Sequence, residues 1–187
     1  MARFKLNKMV ESASGKTGNM VFKQVGKTTL FTAAPEFKGE TTEKQRVHRE
    51  RFKRAVSYAK ASLADPATKA AYAQSVAGQD FMNAFTAAVT DFMNAPRVDA
   101  VDNTGYSGKI GESIIAKVFD SFKVADVRVT ISLANNTVVE TGVATLVTGS
   151  SDWKYVTTKA NATLAGSKIK VVVTDKPGNS TTLEKTL

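Results

Sequence analysis

The alternation of apolar and polar residues is sharpest in the second half of the chain. Val127, Val129, Ile131 and Leu133 alternate with Arg128, Thr130 and Ser132, and Ile169, Val171 and Val173 repeat the pattern. A period of two puts one set of side chains on one face, as in a half-buried strand. Seven stretches carry strand character: RVDAVDN, ESIIAKVFD, DVRVTISLA, TVVETGVATLV, DWKYVTT, KIKVVVTD and STTLEKTL. Asn135–Asn136 and Pro177–Gly178–Asn179 supply turns between them. Short strands at regular spacing predict an antiparallel β-sandwich over residues 97–187. Trp153 and Tyr155 share a face in this reading, with Trp153 as the expected large core residue.

Residues 36–96 carry a helical period instead. Thr42 with Gln45 fits a capping box, in which each side chain bonds the other's backbone N–H. His48, Phe52, Ala55, Val56, Ala59 and Leu63 then fall in one arc, predicted to pack, while Arg46, Arg49, Lys53 and Lys60 fall in the next. Asp65–Pro66 closes this helix and opens a second, Ala-rich one that ends at Gly78. A third helix is predicted from about Asp80 to Met93, with Phe81, Phe85, Ala88 and Phe92 as its core seam.

Residues 1–35 read as a strand followed by a hairpin. Ala2, Phe4 and Leu6 alternate with Arg3, Lys5 and Asn7. Asn19–Gln24 and Lys27–Thr32 form the arms around Gly26, with Met20 and Phe22 on one face and Phe31 on the return. An isolated hairpin is marginal in water, and a lone strand must find backbone partners. The fold class expected is therefore α+β: a strand and hairpin arm over 1–35, a three-helix segment over 36–96 and a β-sandwich over 97–187.

Composition adds one asymmetry. Hydrophobic residues make up 42% of the chain, enough for a core, and the formal charge is +9. The first 60 residues hold that whole surplus, and the rest balances to zero. A basic arm on a neutral body favours nucleic acid, an anionic surface or an acidic partner. The absence of cysteine excludes disulfides, thiolate metal sites and cysteine nucleophiles. MARFKLNKMVESASG lacks the apolar run of a secretory signal, and no window reaches the ~18 apolar residues of a membrane span. The expected location is cytoplasmic, in a virion, or extracellular by a signal-independent route.

Chemical motifs are sparse. The triplets Gly15–Lys16–Thr17 and Gly26–Lys27–Thr28 resemble the end of a phosphate loop. The glycine required five positions earlier is replaced by Val10 and Val21, and each triplet leads into a strand rather than a helix. His48 is the only histidine and falls on the predicted apolar arc beside Phe52, which points to packing. Asp175, in TDKPGN, has the chemistry of a calcium ligand, but its setting points to a turn. No catalytic, cofactor-binding or metal-ligating set emerges, and an enzyme is not expected. The basic residues Arg46, Arg49, Lys53 and Lys60 are positioned to neutralise phosphates without a base-reading motif.

The pattern SGKTGNMVF…GKTTLFTAAP followed by TEKQRVHRERFKRAVSYA resembles a family of small bacterial and phage-associated proteins with a Gly-rich hairpin and a basic helix. The end, IKVVVTDKPGNSTT, is similar to the last hairpin of bacterial immunoglobulin-like modules. The second resemblance implies an Ig-like sandwich used in adhesion, scaffolding or subunit packing. The expected function is a structural subunit that polymerises with copies of itself by strand addition. Phe4 and Leu6 would anchor the donated strand, and Met20, Phe22 and Phe31 would form the hairpin contacts. The alternative is non-specific association with nucleic acid through the basic helix.

Overall fold

A computed structural model describes residues 2–3, 14–25, 28–36, 39–79 and 82–187. The chain divides into two compact units. One holds residues 1–50 and 77–82, and the other holds residues 51–76 and 83–187. The fold is α+β, with three helices and three four-stranded antiparallel sheets among the described residues.

The first unit contains the N-terminal sheet, in the order β1 (Ala2–Arg3), β4 (Thr28–Ala33), β3 (Met20–Val25), β2 (Gly15–Thr17). The predicted hairpin is β3 and β4, paired from Met20↔Ala33 to Val25↔Thr28. The terminal strand pairs within its own chain, Ala2 opposite Phe31 and Arg3 opposite Leu30. Among the described residues of this unit, Thr29 alone is buried.

Helix α1 (Glu43–Ser62) starts at the predicted capping box. The Thr42 N–H donates to Gln45 Oε1 at 3.1 Å, and the Gln45 N–H to Thr42 Oγ1 at 3.3 Å. The apolar arc is only partly used. Ala55 and Ala59 are buried, but His48 and Phe52 are exposed, so neither fills the packing role predicted for it. In the second unit, the C-terminal half of α1 packs with α2 (Pro66–Ser75) and α3 (Ala84–Met93). Tyr58 lies 5.4 Å from the Phe92 ring, and its hydroxyl is 3.1 Å from that of Tyr72. Asp65 caps α2 by accepting from the Thr68 N–H at 2.9 Å, with Pro66 in the first turn. Asn83 caps α3 in the same way, so this helix starts later than the pattern predicted.

The rest of this unit is two facing sheets. One has the order β5 (Arg97–Asp102), β6 (Ser113–Phe119), β10 (Asp152–Val156), β9 (Thr145–Leu146). The other has the order β12 (Ser180–Thr186), β11 (Lys168–Asp175), β7 (Val124–Ser132), β8 (Val138–Val143). The predicted alternation is the core. Ile169, Val171 and Val173 lie opposite Ile131, Val129 and Val127, all fully buried and facing Ile114, Ala116 and Val118 of the other sheet. At ~25 cal/mol per Å² of apolar surface, each such side chain contributes about 1.5–3 kcal/mol.

Two sequence expectations are revised here, and the burial on β8 adds to them. TVVETGVATLV is two strands, because β8 and β9 belong to different sheets and the chain crosses at the buried Ala144. On β8 the burial is inverted: Glu140 is inside while Val138 and Val143 are exposed. Tyr155, rather than Trp153, is the buried aromatic of β10, and Trp153 packs part-buried against the core. Gly142 makes room for Tyr155, since a Cβ there would lie 2.7 Å from its Cε2.

Candidate functional site

Three groups of side chains stand out, and each is built by a different element. The first is one face of the N-terminal sheet. Residues directly opposite in an antiparallel pair share a face, as do positions two apart. Met20↔Ala33, Phe22↔Phe31 and Gln24↔Thr29 are therefore stacked along one face. The Phe22 and Phe31 rings are 4.7 Å apart, and Thr29 Oγ1 donates to Gln24 Oε1 at 2.8 Å. Three predicted assembly residues, Met20, Phe22 and Phe31, are thus brought together. Met20 is 42% exposed and both phenylalanines are half-buried. Phe4 and Leu6, the other two, lie outside the described residues.

The second group is the basic stripe of α1. Arg46, Arg49, Lys53 and Lys60 fall within one narrow arc at 100° per residue, and all four are exposed. Arg46 is held by Glu43 through two bonds of 3.0 and 2.9 Å, and Arg49 donates to Thr41 Oγ1 at 3.2 Å. Among the described residues, Arg46 is the only one of the four in an ion pair.

The third group escaped sequence reasoning. Asp91 on α3, Asp120 just after β6 and Asp175 at the end of β11 bring one carboxylate oxygen each to within 4.8 Å of one another. Asp91 and Asp175 are buried, and Asp120 is half-buried. Asn179 holds two of them in place. Its backbone N–H and side-chain amide donate to Asp175 at 2.6 and 2.8 Å, and the same amide reaches the Asp91 and Phe92 carbonyls at the end of α3. Tyr72 donates its hydroxyl to Asp91 Oδ2 at 2.6 Å, and its ring stacks on Phe122 at 4.0 Å.

This arrangement leaves carboxylate oxygens without donors. Asp91 Oδ1 and both oxygens of Asp120 are buried without a hydrogen bond. Burial pushes the Asp91 carboxyl up to about 6, the Tyr72 bond opposes that shift, and the charges of Asp120 and Asp175 add to it. Burial also raises Asp120, against a downward pull from the nearby amides of Ser121, Phe122 and Lys123. The neighbouring cation, Lys176, donates instead to Thr68 at 3.1 Å and lies 5.7 Å from the Tyr72 ring centre. Among the described residues, no Lys or Arg nitrogen comes within ion-pair distance of the three carboxylates.

Asp175 is also a turn residue, as its sequence setting predicted. Its N–H donates to the Asn179 carbonyl at 3.0 Å, across the Pro177–Gly178 turn between β11 and β12. The overlooked member was Asp91. Its signal is a carboxylate set inside the apolar run AFTAAVTDFM, on the side that packs. Asp120 gave no signal, because an aspartate at a strand end is an ordinary turn residue.

Comparison with known proteins finds no matching family model, no matching curated protein and no matching solved structure. Among the described residues, no helix is long and apolar enough to cross a membrane.

Proposed function

We propose that this chain is a structural subunit that assembles with copies of itself by strand addition at the N-terminal sheet. One observation carries the reading: among the described residues of the first unit, no apolar side chain is buried. A sheet whose described residues bury no apolar side chain gains stability by packing its apolar face on a neighbour. Met20, 42% exposed beside the Phe22–Phe31 pair, supplies apolar surface for a neighbour. The edge of β4 already accepts a strand of the same sequence, through Ala2↔Phe31 and Arg3↔Leu30. A strand that fits this edge in its own chain fits the same edge in the next copy, and such exchange propagates head to tail.

The second unit supports the same reading. Its strand order matches that of immunoglobulin-type modules with one strand added to the second sheet, an architecture widely used for packing and adhesion. Deletion of residues 2–10 tests the proposal. The truncated protein is expected to remain a folded monomer by sedimentation and to form no polymer by electron microscopy. The same polymer from both proteins refutes strand addition.

The exposed stripe Arg46, Arg49, Lys53 and Lys60 favours a second reading, non-specific contact with a polyanion. Such binding falls steeply with salt. It is expected to vanish in an Arg46→Ala/Arg49→Ala/Lys53→Ala variant, and no binding of the intact protein at low salt removes this reading.

A further inference from the structure

We propose that Asp91, Asp120 and Asp175 bind one calcium ion that fastens helix α3 to both sheets of the sandwich. The three carboxylates come from three separate elements: α3, the end of β6 in one sheet and the end of β11 in the other. Turn chemistry explains Asp175 but not Asp91. Asp91 is fully buried, and its Oδ1 has no donor. Leaving a buried carboxylate oxygen without a partner is costly, and three carboxylates together compound that cost. Folding has nevertheless oriented these groups. Tyr72 fixes one oxygen of Asp91, and Asn179 fixes Asp175, while the two oxygens of Asp120 remain available. The cluster also lies beside the C-terminal end of α3, where the helix dipole favours positive charge.

The donor set selects the ion. All three donors are hard carboxylate oxygens; the chain has no cysteine, and its one histidine is exposed on α1. Zinc and copper favour nitrogen or sulfur ligands. Calcium takes six to eight oxygens at ~2.4 Å, so oxygens on opposite sides of it are ~4.8 Å apart. The three oxygens all lie within 4.8 Å of one another, close enough for one such ion to reach all three. Magnesium dehydrates reluctantly and is held by one or two carboxylates with several waters, so a set of three carboxylates suits calcium better. Water completes the shell on the side left open by the half-buried Asp120.

The test uses the full-length protein freed of metal. Calcium at about a hundredfold excess over its Kd is expected to raise the thermal midpoint by about 5–10 °C relative to chelator. Terbium, a calcium mimic excited through nearby tyrosine, is expected to luminesce by way of Tyr72 and to be displaced by calcium at one ion per chain. Asp120→Asn keeps the shape and removes the charge, so it is expected to abolish both responses with an unchanged circular dichroism spectrum. The proposal is overturned if Asp120→Asn retains them. It is also overturned if the wild-type protein shows neither response, in which case shared protons neutralise the cluster. Should the variant fail to fold, the wild-type midpoint and the terbium displacement decide the matter alone.

Discussion

Glu140→Ala provides the most informative perturbation of the sandwich. Glu140 sits 4% exposed on the edge strand β8 and gathers four donors on Oε2. These are the Tyr155 hydroxyl at 3.0 Å, the Thr158 N–H and Oγ1 at 2.8 and 2.7 Å, and the Lys159 N–H at 3.2 Å. Hydrogen bonds to a charged group contribute about 1.5–3 kcal/mol each, but the buried charge also costs desolvation. In the variant, Thr158 and Lys159 are exposed and recover water, whereas the buried Tyr155 hydroxyl does not. The net loss is therefore expected at about 3 kcal/mol, mostly from that orphaned hydroxyl. Glu140→Gln retains an acceptor oxygen and is expected to lose roughly half as much. Urea unfolding followed by the fluorescence of the single tryptophan, Trp153, measures both variants. With a slope of ~2 kcal/mol per M, the alanine variant shifts the midpoint by about 1.5 M. A loss below about 1 kcal/mol at unchanged slope refutes the reasoning, because the four bonds would then do no more than balance desolvation.

Two further outcomes follow from the same sheets. Gly142→Ala drives a methyl to 2.7 Å from Tyr155 Cε2, so it is expected to cost about 1–3 kcal/mol in the same urea assay, and a neutral result would show that the ring yields freely. Glu112 is held below the usual carboxylate range by hydrogen bonds from Ser107 and Lys109. Its folded value is the lower one, so its stabilisation is complete above the unfolded value near 4 and fades as pH falls through the folded value. Wild type should thus exceed Glu112→Gln in stability at neutral pH and converge with it in acid. A pH-independent gap between the two would contradict that assignment.

The sandwich was legible in the sequence wherever alternation ran without a break. Ile169, Val171 and Val173 meet Ile131, Val129 and Val127 as their pattern required. It was illegible where chemistry inverted the pattern. Glu140 lies in a polar-looking stretch of the strand, and its partners are Tyr155 on β10 and Thr158 and Lys159 in the loop after it, so no local pattern announces them. The division of β8 from β9 is set by the turn of the chain at Ala144, and the apolar content runs through it unchanged. On α1 the period was read correctly, but small residues do the packing, so Ala55 and Ala59 are covered while His48 and Phe52 are not. The acidic cluster was hidden for a different reason. Its members are single aspartates far apart in the chain, and only the meeting of three elements makes them one group.

That meeting has a kinetic consequence. Ala116 pairs with Trp153 and Ile131 with Ile169, so each sheet closes a loop of roughly forty residues before its contacts reward it. The cluster needs still more, since both sheets must have formed and α3 must have docked before Asp91, Asp120 and Asp175 converge. Groups that converge late contribute little to the folding transition state. An ion held there would leave the speed of folding almost unchanged and would act on the way out, lengthening the lifetime of the native state.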